Sequence, residues 1–138
     1  MENDGNQQLR LAIQRLARRI RSNAADDDIP ESQRSVLFTL HNHGPQSLGS
    51  LSDHERVTPP SMNRTVNALV ESGLVTRVTA QDDARRIEID LSPSGHTWVD
   101  ETRRRRDAWF TMQLAALTEQ QRRILDKATP VLKELAEQ

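Results

Sequence analysis

Cysteine is absent from the 138 residues. That removes disulfides, thiolate metal sites, cysteine nucleophiles and cysteine-based redox sensing together. Aromatic residues make up only 3% and hydrophobic residues 35%, which is lean for a chain that fills its own core. Long apolar runs are lacking too: none approaches the ~20 residues that cross a bilayer. The start, MENDGNQQLR, is polar and acidic and has no signal-peptide pattern. These absences point to a cytoplasmic chain with no membrane partner, and its length to one domain. The lean composition leaves two options, partial disorder or a core completed by a second chain.

Net charge is also nearly absent, at −1, but it is unevenly placed. Residues 1–25 carry +3, residues 26–98 carry −5, residues 99–123 carry +2 and residues 124–138 carry −1. Arginine outnumbers lysine 17 to 2. The acidic surplus of the middle segment is concentrated at Asp26, Asp27, Asp28 and Glu31, whereas residues 56–86 hold five arginines against Glu71, Asp82 and Asp83.

What is present is periodic. Leu9, Ile13, Leu16 and Ile20 form one apolar stripe, which predicts a helix over 7–22. SNAADDDIP interrupts it as an acidic loop. A second helix runs from about Pro30 to His43 and is stopped by Gly44-Pro45. A short helix follows over 47–54. Thr58 is a good N-cap, with Pro59 and Pro60 in the first turn, where a missing N–H costs little. That helix, ending at Gly73, gathers Met62, Val66 and Leu69 on one side and Pro60, Ser61, Asn63, Arg64 and Asn67 on and around the other. The period then shifts. LVTRV is strand-like, TAQDDAR is turn-rich, and RIEIDL alternates with Ile87, Ile89 and Leu91 on one face. Ser92-Pro93 opens a helix to about Leu117. Thr118 and Gln121 form a capping box that restarts the chain, and Pro130 interrupts the last helix, which carries Ile124, Leu125, Val131, Leu132 and Leu135.

A short helix joined to a second by a tight turn predicts a helix-turn-helix, whose second helix enters the DNA major groove. The polar face of residues 60–67 then has a use. Arginine can take guanine, and asparagine adenine, in two parallel bonds. Pro60 offers apolar contact, and free N–H groups of the first turn can meet a phosphate. The hairpin behind it makes a wing, with Arg85 positioned for a minor groove and Asp83 able to hold it. Arg86 belongs to the same tip. The expected class is therefore mainly α with a small β-hairpin wing (α+β), a winged helix-turn-helix over 29–92. Residues 1–28 and 93–138 form a helical dimerisation region. Stripes at both chain ends would face water unless a second copy covers them. Leu9, Ile13, Leu16, Leu114, Leu117, Ile124, Val131, Leu132 and Leu135 are the expected homodimer contacts.

The wing carries a more specific likeness. DARRIEIDLSPSG resembles the MarR family of bacterial transcriptional regulators, whose Asp-x-Arg, five residues, Leu-Ser/Thr-x-x-Gly pattern falls on Asp83, Arg85, Leu91, Ser92 and Gly95. VTPPSMNRTVNALVESGLVTR is similar to the family's recognition helix, and Leu37, Leu40 and Gly44 to the helix before it. The resemblance runs from about residue 9 to 136. It implies an obligate, triangular homodimer acting on double-stranded DNA, with contacts at Arg85, Ser61, Asn63 and Arg64. It also implies a small aromatic effector that releases the operator, with Trp98, Trp109 and Phe110 as candidate lining, although dimer core is the more common fate of such residues. A repressor at an inverted repeat is the resulting expectation. The alternative is a winged-helix module for protein interaction or for organising DNA without reading sequence.

Other signals weigh less. His41 and His43 lie two apart and point to different faces, which favours surface histidines over a metal site. RRRR at 103–106 wraps around a helix. No nucleophile–base pair, phosphate loop or ligand cluster stands out, so neither catalytic residues nor a cofactor are expected.

Overall fold

A computed structural model of the chain describes residues 2–23 and 29–138. The elements in order are α1 (Glu2–Asn23), α2 (Glu31–His43), α3 (Leu48–Glu55), α4 (Pro59–Glu71), β1 (Val75–Thr79), β2 (Ile87–Leu91), α5 (Pro93–Ala115) and α6 (Glu119–Ala136). The mainly helical class with one hairpin follows the sequence pattern closely. α1 starts five residues before the expected residue 7, and Asp4 in its first turn suits the positive N-terminal end. The acidic loop falls largely on residues 24–28, outside the described residues.

Local chemistry sets most boundaries. Gly44 ends α2 at φ 78°, its N–H donating to the Leu40 carbonyl. The Ser47 hydroxyl caps α3 by accepting from the Ser50 N–H at 3.1 Å. Thr118 and Gln121 exchange two bonds, of 3.1 and 3.0 Å, to start α6. α6 continues through Pro130.

The chain divides into two compact units. One holds α2, α3, α4, the hairpin and α5 as far as Arg103. Its core joins Val36, Leu37 and Leu40 of α2, Leu51 of α3, Met62, Val66 and Leu69 of α4, Val75, Ile89 and Leu91 of the hairpin, and Trp98 and Val99 of α5. β1 and β2 are antiparallel, with Val75 opposite Leu91 and Arg77 opposite Ile89. Gln46 adds a one-residue bridge to Ile89 on the free side of β2, through bonds of 3.0 and 2.7 Å. Ile87 shares a face with Ile89 and Leu91, but it is 50% exposed. It pairs with Thr79 at the far end of β1, beyond the reach of the helices that cover the other two.

Ser92 and Gly95 lock this unit together. The Ser92 hydroxyl donates to the Gly73 carbonyl and accepts from the Gly95 N–H at 3.0 Å. The Ser92 N–H donates to the Leu74 carbonyl at 3.0 Å. The hairpin's end is thus tied to the end of α4 and the start of α5. A Cβ at Gly95 would stand 2.1 Å from the Leu74 carbonyl oxygen, so one atom forces α5 away from the β1 junction. Gly95→Ala is expected to cost at least the ~1–3 kcal/mol typical of overpacking, read as a lower melting temperature. An unchanged melting temperature would show that the junction relaxes freely.

The other unit holds α1, α5 from Arg104 and α6. Its apolar residues are poorly covered. α6 has no buried residue at all. The Arg19 guanidinium lies over the Trp109 ring, 5.3 Å from its centroid.

Candidate nucleic-acid interface

α4 is pinned from below and bare above. Met62, Val66 and Leu69 recur at helical spacing and are buried. Pro60, Asn63, Arg64 and Asn67 are exposed, and Ser61 is half-buried. Arg64 makes no ion pair among the described residues. A helix held on one side with arginine and asparagine free on the other can present hydrogen-bonding groups to a groove.

Two details add to the sequence expectation. Asn67 is not free, because its Oδ1 accepts a hydrogen bond from Arg77 of β1. Paired recognition of adenine needs both the carbonyl and the amide of an asparagine. Asn63 keeps both unengaged, whereas the Asn67 carbonyl already holds one bond, with its second lone pair and its N–H groups still open. Nor does the first turn of α4 present a row of free donors. Pro59 and Pro60 have no N–H, the Ser61 N–H donates to Thr58 Oγ1 at 3.3 Å, and the Met62 N–H to the Thr58 carbonyl at 2.9 Å. The residue that sequence reasoning missed is Arg77. Strand alternation carries the signal, since Arg77 shares a face with buried Val75 and pairs with buried Ile89. What it meets there depends on the placing of α4, which no local pattern encodes.

The wing tip is built around Asp83. Its Oδ1 accepts from the Arg85 N–H at 3.0 Å and from Arg85 Nε at 3.3 Å. The Arg86 N–H donates to the Asp83 carbonyl and the Ala80 N–H to the Arg86 carbonyl. These bonds, the Arg85 backbone N–H first and its guanidinium second, hold the Asp83 carboxyl below the usual aspartate range. A lowered carboxyl contributes its support above the unfolded value of about 3.9 and loses it as pH falls through the folded one. The tip therefore keeps its shape at neutral pH. The Arg85 side chain is 92% exposed, tethered at Nε with the rest of its fork projecting. Arg86 turns back instead, to Asp82 at 2.7 Å.

The remaining candidates separate. The His41 and His96 rings are 6.4 Å apart, and those of His43 and His54 5.5 Å. Among the described residues no group of three His, Cys, Asp or Glu could hold a metal ion. Arg103 reaches His41 Nε2 at 2.9 Å. Trp98 is a core residue in edge contact with Phe38, at 5.7 Å, and Trp109 lies under Arg19 in the other unit.

The sequence and the fold both match known proteins. The sequence profile described as the MarR family matches residues 29–87. An HTH-type transcriptional regulator of Mycobacterium leprae is 37% identical over 130 residues, 94% of this chain and 91% of its own.

The chain belongs to the MarR family.

The profile match spans α2 to the start of β2, and the Mycobacterium relative carries the likeness across nearly the whole chain. The same fold is seen in a crystal structure of a transcriptional regulator protein from Pseudomonas aeruginosa. It has a TM-score of 0.85 and 27% identity, covering 99% of this chain and 96% of that one. A structure of MepR from Staphylococcus aureus, bound to ethidium bromide, has a TM-score of 0.67 and 20% identity, covering 91% and 94%. As a MarR-family member this protein is a DNA-binding transcriptional regulator and not an enzyme. Its described helices include none long and apolar enough to cross a membrane.

Proposed function

We propose that this protein is a homodimeric repressor. It binds an inverted-repeat operator in the cytoplasm through Pro60, Ser61, Asn63 and Arg64 of α4 and Arg85 of the wing. Residues 29–92 serve as the DNA-binding part, and 1–28 with 93–138 as the dimerisation part. The observation that carries the reading is the bare face of α4. Arg64 and Asn63 sit exposed on a helix whose other side is fully buried, beside an arginine-tipped hairpin. Asn67 and Arg86 act within the interface as supports, through Arg77 and Asp82.

The dimer is supported by what α1 and α6 leave uncovered. Leu9, Ile13 and Leu16 of α1 and Ile124, Val131, Leu132 and Leu135 of α6 are all at least 40% exposed, with Leu114 and Leu117 half-buried. Leu9, Ile13 and Leu135 line one open cleft of about 330 Å³. A second copy buries such stripes under two-fold symmetry. Two recognition helices then address major grooves roughly 34 Å apart.

Release by a small aromatic effector is supported by three buried polar atoms without protein partners. These are His41 Nδ1 on α2 and Trp98 Nε1 and Thr102 Oγ1 on α5. Buried polar atoms are normally satisfied, and a ligand with hydrogen-bonding groups would satisfy these.

The test is a gel shift with the DNA upstream of this gene against a scrambled duplex. Equal affinity for both sinks sequence-specific recognition and favours a DNA-organising module. Within that assay, Arg64→Ala is expected to relax base preference at one position of each half-site, at about 1–3 kcal/mol per lost base contact. If it weakens every sequence alike, Arg64 contacts a phosphate.

A further inference from the structure

Pro60, Arg64 and Asn67 form one exposed stripe along α4, opposite the buried Met62, Val66 and Leu69. Asn67 is the member of that stripe whose side chain is already held. Its Oδ1 accepts from Nη2 of Arg77 on β1, and among the described residues its N–H groups donate to no protein atom. Both side chains are exposed, and Arg77 makes no ion pair among the described residues. The bond is therefore not a by-product of a charge network.

A carboxamide has two ends of nearly the same shape, one accepting and one donating. On a bare helix face an asparagine can turn either end to a partner, because its terminal torsion is broad and roughly two-fold. Arginine removes that choice. Its guanidinium carries five donors and no acceptor, so only the Asn67 oxygen can face it. The N–H groups are left at the other end. Arg77 stands on a paired strand, opposite buried Ile89 and two residues from buried Val75, so its backbone is fixed beside α4. The end of Asn67 that stays open decides what it can read. In the major groove guanine presents two acceptors and thymine one, cytosine presents a donor, and adenine is matched by an asparagine that uses both ends. With the oxygen held at the hairpin, an adenine N6–H2 drawn to it would also meet the donors of Arg77.

We propose that Asn67 reads a base by donation, favouring the acceptor edge of guanine or thymine, and that Arg77 is the positioning residue that sets this polarity. Asn67 thus does more than support Arg77, and Arg77 acts on base preference without touching a base. This rests on the DNA-binding role assigned to α4.

The test measures affinity, by fluorescence anisotropy, for the DNA upstream of the gene and for a panel of duplexes in which each base pair is replaced in turn. The readout is the ratio of affinities for the original and the replaced pair, in which a uniform loss of charge cancels. Asn67→Ala is expected to lower that ratio about two- to tenfold at one guanine or thymine of each half-site and to leave the other positions alone. Arg77→Met should lower it at the same position, since the freed amide can turn either end to the base. Arg77→Lys should restore it, because an ammonium also only donates. Asn67→Asp keeps an acceptor for Arg77 and loses the N–H groups, so preference there should move towards cytosine or adenine. Melting temperatures should match the wild type. An unchanged profile in Asn67→Ala would overturn the proposal, as would an equal loss for every duplex, which would make Asn67 a phosphate contact. A position flattened by Asn67→Ala but left intact by Arg77→Met would overturn the role of Arg77. If the wild-type protein discriminates at no position, the reading of α4 as sequence-specific fails, and that failure is visible without any variant.

Discussion

A chain carrying Ile13→Glu and Leu135→Glu is expected to be monomeric at concentrations where the wild-type protein forms the proposed dimer. Both side chains line the same cleft on α1 and α6 and are already partly exposed, at 41% and 55%. Charge there costs the isolated fold little. Against a second copy the same two carboxylates, doubled by symmetry, are desolvated without partners, which is the expensive case. Loss of the dimer also uncouples the half-sites. Linking two binding modules raises avidity by about 10²–10⁴, so operator affinity should drop by that order. Light scattering after size exclusion reads the mass, and anisotropy on the operator duplex reads the affinity. A variant that stays dimeric with full binding would place the interface elsewhere.

Arg85→Ala is expected to weaken operator binding about tenfold or more while leaving the dimer intact. The side chain is almost wholly exposed and among the described residues its only ion pair is with Asp83, so its loss removes little from the fold. The turn survives, because the Asp83 carboxylate still accepts the backbone N–H of residue 85 and the Ala80–Arg86 bond still closes the hairpin. What goes is a guanidinium suited to the negative potential of a narrow minor groove. A contact of this kind is worth about 1–3 kcal/mol, present once in each protomer. Circular dichroism should match the wild type. Unchanged affinity would remove the wing from DNA recognition.

The parts legible in the sequence are those governed by neighbours along the chain. Thr58-Pro59-Pro60 announces a helix start because capping and the missing N–H groups act within one turn. The alternation of RIEIDL announces a strand because its period is local, and Thr118 with Gln121 announces a break for the same reason. The stripes of α1 and α6 were legible as surfaces seeking a cover. Asn67 was not legible in full. On the helix wheel it is a bare polar residue, and only the hairpin's position beside α4 reveals Arg77 holding its carbonyl. Ile87 fails in the same way, since alternation assigns its face but cannot say how far the helical layer extends. The left-handed backbone of Arg56 at the end of α3, φ 57°, was hidden for a different reason. Nothing in its identity signals a left-handed backbone, because the residues that advertise that conformation are glycine and asparagine.

The three bonds around Ser92 act as a mechanical joint. One hydroxyl and one N–H hold the last carbonyls behind α4 and the first N–H groups of α5, across 19 residues of sequence. The end of the recognition helix and the root of α5 are therefore clamped at a point, with no slack loop between them. A tilt of the first turns of α5 would bear on α4 through that joint, and a rotation about it would displace the far end most. That far end is the Pro59-Pro60 start, where the exposed side chains stand. A small molecule acting on α5 would need to move it only slightly to misalign them.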